Sequence, residues 1–243
     1  MGDPLPDAYR HCHTCPAYME REFGARPSFQ PIHAGQVPGV RRRLPGFHID
    51  HYLGDAEPGD RPAKRGARLT LWQPLARLDK PAGWHRWPLP GNRRLTGFAR
   101  LPENGRYDGR WSDHAKRHVK RWQKQTAHEL ADVDLATYLE GFRRSGKSSG
   151  LIGLFSDDLA RKQAAHGTDL HLRAARDRKT GEVIAGFASL RIPEIRQMFH
   201  VTSFITPAGR ETSAAFALVD DCFRLAQAHG CRTLEFDGFW APG

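Results

Sequence analysis

Five lysines and arginines fall within nine residues: Lys116, Arg117, Lys120, Arg121 and Lys124, with Trp111 just upstream and Trp122 among them. Cations at this density suit phosphate groups, and each contact adds to the salt dependence of binding. The same segment also reads as a solvated amphipathic face with Trp122 turned into a core. Gly141–Ser148 (GFRRSGKS) fits the phosphate-loop pattern G-x-x-x-x-G-K-[ST] letter for letter. That chemistry needs a strand before the loop and a helix after it, whose first amides hold the phosphate. Here an apolar helical stripe leads into Gly141, so a helix end opening into a basic loop is expected instead. His11, Cys12, His13 and Cys15 have the chemistry of metal ligands, but structural zinc takes four ligands and no second matching cysteine pair exists. His114 and His118 share a helical face at i, i+4, yet five cations surround them. No metal is expected at either place. Ser-His-Asp and G-x-S-x-G arrangements are absent.

The elements that position these groups become regular after residue 110. Ala115, Val119 and Trp122 recur at helical spacing within Trp111–Lys124, with Ser112 or Asp113 as N-cap. Leu135, Leu139 and Phe142 mark a second helix, and a third is expected from Ser156, with Asp157 and Asp158 against its positive end. Leu170–Arg176 and Val183–Leu190 read as strands joined through Lys179-Thr180-Gly181, a turn signal. Met198–Ile205 is a third strand. Phe216, Val219, Phe223 and Ala226 define a helix closed by Gly230, and Thr233–Phe236 is a last strand. An antiparallel meander followed by a helix and a further strand implies α/β layering around one sheet.

The first 110 residues are rich in proline and glycine. Pro16–Phe23 reads as a short helix, Ser28–His33 and Val37–Arg43 as a hairpin, and Gly46–Leu53 and Ala67–Trp72 as extended pieces. Trp84–Trp111 yields no regular assignment.

The chain has 243 residues and a formal charge of +10, with 39% apolar and 26% charged residues. Residues 1–125 hold 23 Lys/Arg against 12 Asp/Glu, so the whole excess lies there and residues 126–243 carry −1. Such a surplus favours an anionic partner, or solubility alone. No run approaches the roughly 20 apolar residues of a membrane span. The first fifteen residues lack the apolar core of a secretory signal, and four cysteines make no disulfide framework, so a cytoplasmic location is expected.

Trp111–Lys124, Leu172–Leu190 (LRAARDRKTGEVIAGFASL) and Ala214–Gly238 (AAFALVDDCFRLAQAHGCRTLEFDG), with Pro16–Val40 ahead of them, resemble the GNAT-like acyltransferase fold. The likeness is greatest to the Fem-type aminoacyltransferases. The resemblance implies a mixed, mostly antiparallel sheet flanked by helices, with two degenerate GNAT-like halves: 1–110, basic and divergent, and 111–243. It implies transfer of an aminoacyl or acyl group to an amine, on a peptidoglycan-precursor-like or peptide acceptor. The donor is aminoacyl-tRNA or acyl-CoA, with no further cofactor.

The acetyl-CoA signature, Arg/Gln-x-x-Gly-x-Gly/Ala, is missing, since Thr206–Ala214 offers only Gly209 and Arg210. Aminoacyl-tRNA therefore stays the more open donor. The family's sheet usually continues beyond the final strand, whereas this sequence ends at Gly243, so either the closing strands are missing or the sequence is a fragment.

Acyl transfer needs a deprotonated amine and a stabilised oxyanion. Glu235 and Asp237, expected at the end of the last strand, and Glu194, in a strand connection, are the candidate proton-transfer groups. Backbone amides near Thr202, Ser203 and Phe204 are candidate oxyanion donors. Trp111, Arg117, Lys120, Arg121 and Arg210 are expected to bind the substrate, a tRNA or nucleotide-linked precursor. Two alternatives remain: a non-catalytic nucleic-acid binder using the basic helix 112–124, and nucleotide binding at 141–148.

Overall fold

Turn residues space the first ninety positions into four strands of one sheet. The computed structural model describes residues 12, 15–24, 28–35, 37–54, 56–59, 67–73, 82–85, 94–105, 107–146 and 152–240, and its chain divides into two units, Met1–Arg94 and Leu95–Gly243.

In the first unit, helix α1 (Pro16–Phe23) begins with proline at its first turn, where a missing N–H costs nothing. Strands β1 (Phe29–Ala34), β2 (Val37–Leu44), β3 (Phe47–Leu53) and β4 (Ala67–Gln73) follow in spatial order. The first three form an antiparallel meander. β4 then joins parallel to β3, with Phe47 opposite Ala67 and Leu53 opposite Gln73. Gly46 makes the tight β2–β3 turn at φ +78°, which a side chain would resist. At one end of the sheet Ala34, Val37 and Tyr52 pack with Ile32 and Trp72. Towards the other end Asp50 is fully buried on β3. It is bridged by Arg41 of β2 at 2.7 and 3.0 Å and by Arg68 of β4 at 2.5 Å.

The second unit opens with β5 (Arg94–Arg100) and a 3-10 turn, Tyr107–Arg110. It continues through α2 (Asp113–Lys124), β6 (His128–Asp132), α3 (Leu135–Arg144), α4 (Ile152–His166), β7 (Leu170–Asp177), β8 (Val183–Ile192) and β9 (Gln197–Ile205). The short α5 (Pro207–Arg210), α6 (Ala214–Ala228) and β10 (Thr233–Trp240) complete it. Its sheet has the order β5-β10-β9-β8-β7-β6. β7, β8 and β9 are an antiparallel meander and β10 is parallel to β9, the same three-plus-one pattern as β1 to β4. Both units therefore have the GNAT-like sheet topology expected of two halves.

β8 explains why this sheet is central. Its residues 183–190 are all buried, so both faces are covered and its apolar run shows no alternation. Gly186 lies against Tyr138 of α3, while its neighbours Ala185 and Phe187 belong to a core with Trp122 of α2 and Ala217, Leu218 and Phe223 of α6. The α3 and α6 helices thus lie on opposite faces.

Four expectations need correction. The third helix begins at Ile152, not Ser156, so Asp158 sits in its second turn and pairs with Arg161 and Lys162 at 3.2 and 3.8 Å rather than serving the helix end. β10 runs on to Trp240, which puts Glu235 in its third position instead of its end. β6, a five-residue edge strand carrying His128, Glu129 and Asp132, has no apolar alternation to betray it. The place beyond β10 is not vacant: β5, from far upstream, fills it.

Candidate functional site

In an open sheet of this kind, ligands gather where parallel strands end. β9 is irregular there. Its register with β8 steps from Ala188 opposite Thr202 to Ser189 opposite His200, leaving Val201 as an extra residue, a β-bulge. The bulge reverses the strand's phase. Met198 faces the α6-side core, and simple alternation would send residue 204 there too. Phe204 instead meets Tyr138 and Phe142 of α3, with ring centroids at 5.1 and 5.8 Å. Gly186 and Gly141 leave the room for its ring. The Tyr138 hydroxyl donates to the Thr202 carbonyl at 3.1 Å and secures the bulged segment. Phe204 is therefore a core side chain, and only its backbone belongs to the site. Thr202 and Ser203 are half-buried on the same segment.

From β9 the chain enters Thr206, whose hydroxyl accepts from the Gly209 N–H at 3.2 Å and caps α5. The Arg210 N–H donates to the Thr206 carbonyl, the Thr212 N–H to the Gly209 carbonyl and the Ala214 N–H to the Thr212 hydroxyl. These are the amides a pyrophosphate would need, and all four already have partners within the connection. Arg210 is exposed at the end of α5. Beside the start of α6, His118 Nδ1 lies 3.0 Å from the hydroxyl of buried Ser213, and its ring stacks on Phe216 at 4.3 Å. The His118 pKa is lowered by local burial, then by the neighbouring charges of His114, Arg121 and Arg117. The imidazole therefore stays neutral to lower pH than a free histidine, which leaves it able to accept a proton. Sequence reading noted the His114/His118 spacing only as metal chemistry and missed the serine, which lies 95 residues away.

The candidate carboxylates are not brought together. Glu235 is fully buried and receives a hydrogen bond from Gln197 Nε2 at 2.5 Å. Leu234 and Met198 face the α6-side core, so Glu235 and Gln197 point to the opposite face. Asp237 lies in β10, and its side chain is outside the described residues. Glu194 is exposed in the β8–β9 turn. β9 begins only at Gln197, after that turn, and Val201 lies four residues along it, roughly 13 Å at the usual rise.

The α2 helix starts where Ser112 Oγ accepts from the Ala115 N–H at 3.3 Å, and it buries Trp122. At 100° per residue its cations form two rows. Lys116 and Lys120 lie with Val119 and Gln123 along a cavity; Arg117, Arg121 and Lys124 project on the adjoining, exposed side. Among the described residues, none of the five forms an ion pair. Trp111 does not stand free as a binding platform, because it packs edge-on against Phe223 at 5.4 Å and against Tyr107 at 5.8 Å.

The phosphate-loop reading is corrected by Gly141. It sits inside α3 with Ser145 as C-cap, and a helix instead of a strand precedes the loop; Lys147 and Ser148 lie outside the described residues. Cys12 and Cys15 are buried, and His11 and His13 also lie outside the described residues. No group of three His, Cys, Asp or Glu suited to a metal occurs among the described residues, and no helix among them is long and apolar enough to cross a membrane.

Two units with a three-plus-one sheet, one bulged beside its parallel pair, define a Fem-like GNAT fold. Among solved structures the chain is similar to FemX, with TM-score 0.65, 10% identity, and coverage of 94% of this chain and 83% of that one. It is also similar to L-PGS from Bacillus licheniformis, with TM-score 0.50, 11% identity, and coverage of 95% and 77%. No family model matches the sequence, and no match is found among curated proteins.

Proposed function

We propose that the protein is an acyltransferase that moves an aminoacyl group from aminoacyl-tRNA to an amine, with residues 111–243 carrying the chemistry. The observation that carries this reading is the similarity to FemX along 94% of the chain. That likeness agrees with the Fem-type resemblance carried by Trp111–Lys124, Leu172–Leu190 and Ala214–Gly238. Two local features support the donor. Amides of the Thr206–Ala214 connection are occupied internally, which disfavours the pyrophosphate of acyl-CoA. The exposed row Arg117, Arg121 and Lys124, which forms no ion pair among the described residues, offers cations to a polyanion, with Lys120 at its margin.

In this reading the backbone amides at Val201–Phe204, turned out of register by the bulge, receive the oxyanion of the tetrahedral intermediate. The neutral His118 imidazole, hydrogen-bonded to Ser213, is the proton acceptor. Glu235, sealed in the sheet, holds the parallel strands through Gln197. The reaction runs in the cytoplasm, where aminoacyl-tRNA is found.

The test is transfer of a radiolabelled aminoacyl group from a mixed aminoacyl-tRNA pool, or an acyl group from acyl-CoA, to amine acceptors. Product from aminoacyl-tRNA is expected. Arg117→Glu with Arg121→Glu should raise KM for the tRNA by roughly tenfold or more and flatten its salt dependence, with kcat little changed. Unchanged KM refutes the phosphate role, and product from acyl-CoA alone refutes the donor. The unpaired cations of α2 also suit a second reading, a nucleic-acid binder without catalysis. Tight duplex binding in a salt-titrated gel shift, with no transfer from either donor, would favour it.

A further inference from the structure

Where α6 ends, two histidines from distant parts of the chain meet. His171 lies near the start of β7, on the face of the sheet that Arg173 and Ala175 turn towards α6. His229 caps the C-terminus of α6, and the two rings stand 5.0 Å apart. His171 is half-buried, and its Nε2 is fully buried with no hydrogen-bond partner among the described residues. His229 is exposed and lies against it, tied down through Nδ1, which is 3.3 Å from Arg191 Nη1 on β8. A guanidinium can only donate, so that nitrogen of His229 is the unprotonated acceptor. Arg191 is itself fixed, because Asp169 holds its Nε at 2.6 Å.

The surroundings of His171 suit a neutral ring. Arg191 on β8 is a fixed cation beside the pair. Asp132 and Asp169 favour a proton on His171, but both are already engaged. Asp169 pairs with Arg191, and Asp132 of β6 pairs at 3.0 Å with Arg173, which also binds Asp221 of α6 at 2.6 Å. The Cys231 thiol, just beyond α6, is pushed up to about 11 by burial and stays neutral. Ser189, opposite His171 on β8, is neutral too. Burial, then the neighbouring His229, holds the His171 pKa below the usual histidine value. An imidazolium fits here only when water reaches Nε2, which requires the end of α6 to move off. The bonds holding that end are few. Gly230 at φ +66° closes the helix, the Cys231 N–H donates to the Ala226 carbonyl at 2.9 Å, and Arg196 Nε donates to the Gly230 carbonyl at 3.0 Å.

We propose that His171 and His229 form an acid-released clasp: proton uptake by His171 detaches the last turn of α6, and neutral conditions close it again. The direction follows from linkage. A histidine kept neutral in the closed form binds more protons in the open one, so falling pH favours opening. With an ordinary value near 6.5 in the open form, the effect sets in there and reaches at most about thirtyfold by about pH 5. A proton on His229 acts the same way, since it removes the acceptor for Arg191 and sets two cations side by side. The clasp needs no substrate, so it stands apart from the transfer reading.

Cys231 reports the opening. It is 6% exposed and two residues from His229, whereas Cys222, 2% exposed, lies in the middle of α6 and should stay covered. The whole protein is labelled with a dipyridyl disulfide, each rate is divided by that of an unstructured thiol peptide at the same pH, and peptide mass spectrometry assigns the cysteine. Relative labelling of Cys231 should rise roughly tenfold from about pH 7.5 to about pH 5, with Cys222 unchanged. His171→Phe keeps a ring against His229 and takes up no proton, so its Cys231 rate should change by less than about threefold over that range. His171→Gln, smaller and equally neutral, should give the same flat profile, and circular dichroism at neutral pH confirms that each variant folds. A Cys231 rate independent of pH in the wild type overturns the proposal. So does labelling of Cys222 in step with Cys231, the mark of general acid unfolding, or an acid rise retained in both variants, which would place the trigger at another group.

Discussion

Gly186→Ala tests whether the packing of Phe204 sets the bulged course of β9. A Cβ at residue 186 would approach Phe204 Cζ to 2.6 Å and Tyr138 Cε2 to 2.9 Å, both closer than carbon atoms tolerate. Neither ring can simply turn away. Phe204 is hemmed by Phe142 and by Gly141, where an added Cβ would stand 2.7 Å from the same ring. Tyr138 is held by its hydrogen bond to the Thr202 carbonyl. Overpacking of this kind costs about 1–3 kcal/mol, and with both rings fixed the upper end applies. Replacing a strand glycine by alanine returns about 0.5–1 kcal/mol of backbone entropy, so the net loss is about 2 kcal/mol. For a unit of this size that lowers Tm by roughly 4–8 °C. Urea unfolding followed by fluorescence and circular dichroism gives the value directly. Phe204→Leu should relieve the clash, so the double variant should be more stable than the sum of the single losses by at least about 1 kcal/mol. An unchanged midpoint for Gly186→Ala, or additive losses, would refute the reasoning. Gly141→Ala should lose less, because a helix favours alanine over glycine by about 1 kcal/mol.

Tyr107→Phe removes one of two partners of buried Asp220 and should cost about 1 kcal/mol at neutral pH by urea titration. Burial, then the hydrogen bond to Asp220, raises the Tyr107 pKa above the ordinary value near 10. The folded chain thus keeps a proton that the unfolded chain releases. That contribution is complete below about pH 10 and is lost above it, so wild type should lose stability more steeply than Tyr107→Phe in alkali. Equal slopes would refute this. In the first unit, Asp50→Asn leaves Arg41 and Arg68 without their shared carboxylate and should cost about 3 kcal/mol. Hydrogen exchange of the β2–β4 amides checks it, and unaltered protection there would show that the bridge is dispensable.

Elements with local signals were readable in the sequence. The α2 and α3 helices follow from apolar spacing plus a capping Ser112 and Asp134, and β7–β8 from a turn in which Asp177 accepts from the Lys179 and Thr180 N–H groups at 2.8 Å. Even β1 to β4 were legible from the turns between them. What escaped depends on contacts distant in sequence. β5 is a strand because β10, more than 130 residues later, lies beside it. The bulge at Val201 is visible only once β8 is paired with β9. Of the candidate site, the basic helix was legible as charge, but its division into a cavity row and an exposed row required knowing where α6 lies. The His118–Ser213 pair had no sequence signal linking its members. Glu235 drew attention as a carboxylate on a strand, and only the alternation of Leu234 and Phe236 into the α6-side core shows which way it faces.

Charge surplus and usable charge differ between the two units. The excess lies in residues 1–125, but much of what the first sheet carries is engaged internally: Arg41 and Arg68 share Asp50, and Arg43 donates to Gln30 at 2.9 Å. These side chains are tied to partners within the sheet, which restricts their reach toward a partner's phosphates. The five of α2 have no carboxylate partners among the described residues, and they stand on a rigid helix anchored by Trp122. The sheets differ in the same direction. Between β9 and β10 the connection holds the fifteen-residue α6, whereas only residues 54–66 separate β3 from β4, too few for a helix of that length with its turns. Both the structural partner of α2 and the unpaired cations therefore belong to the second unit. On the proposed function the tRNA contacts α2, and the first unit's arginines should be insensitive targets: neutralising Arg43 should leave the salt dependence of tRNA binding unchanged, where neutralising Arg117 and Arg121 lowers its slope by about two.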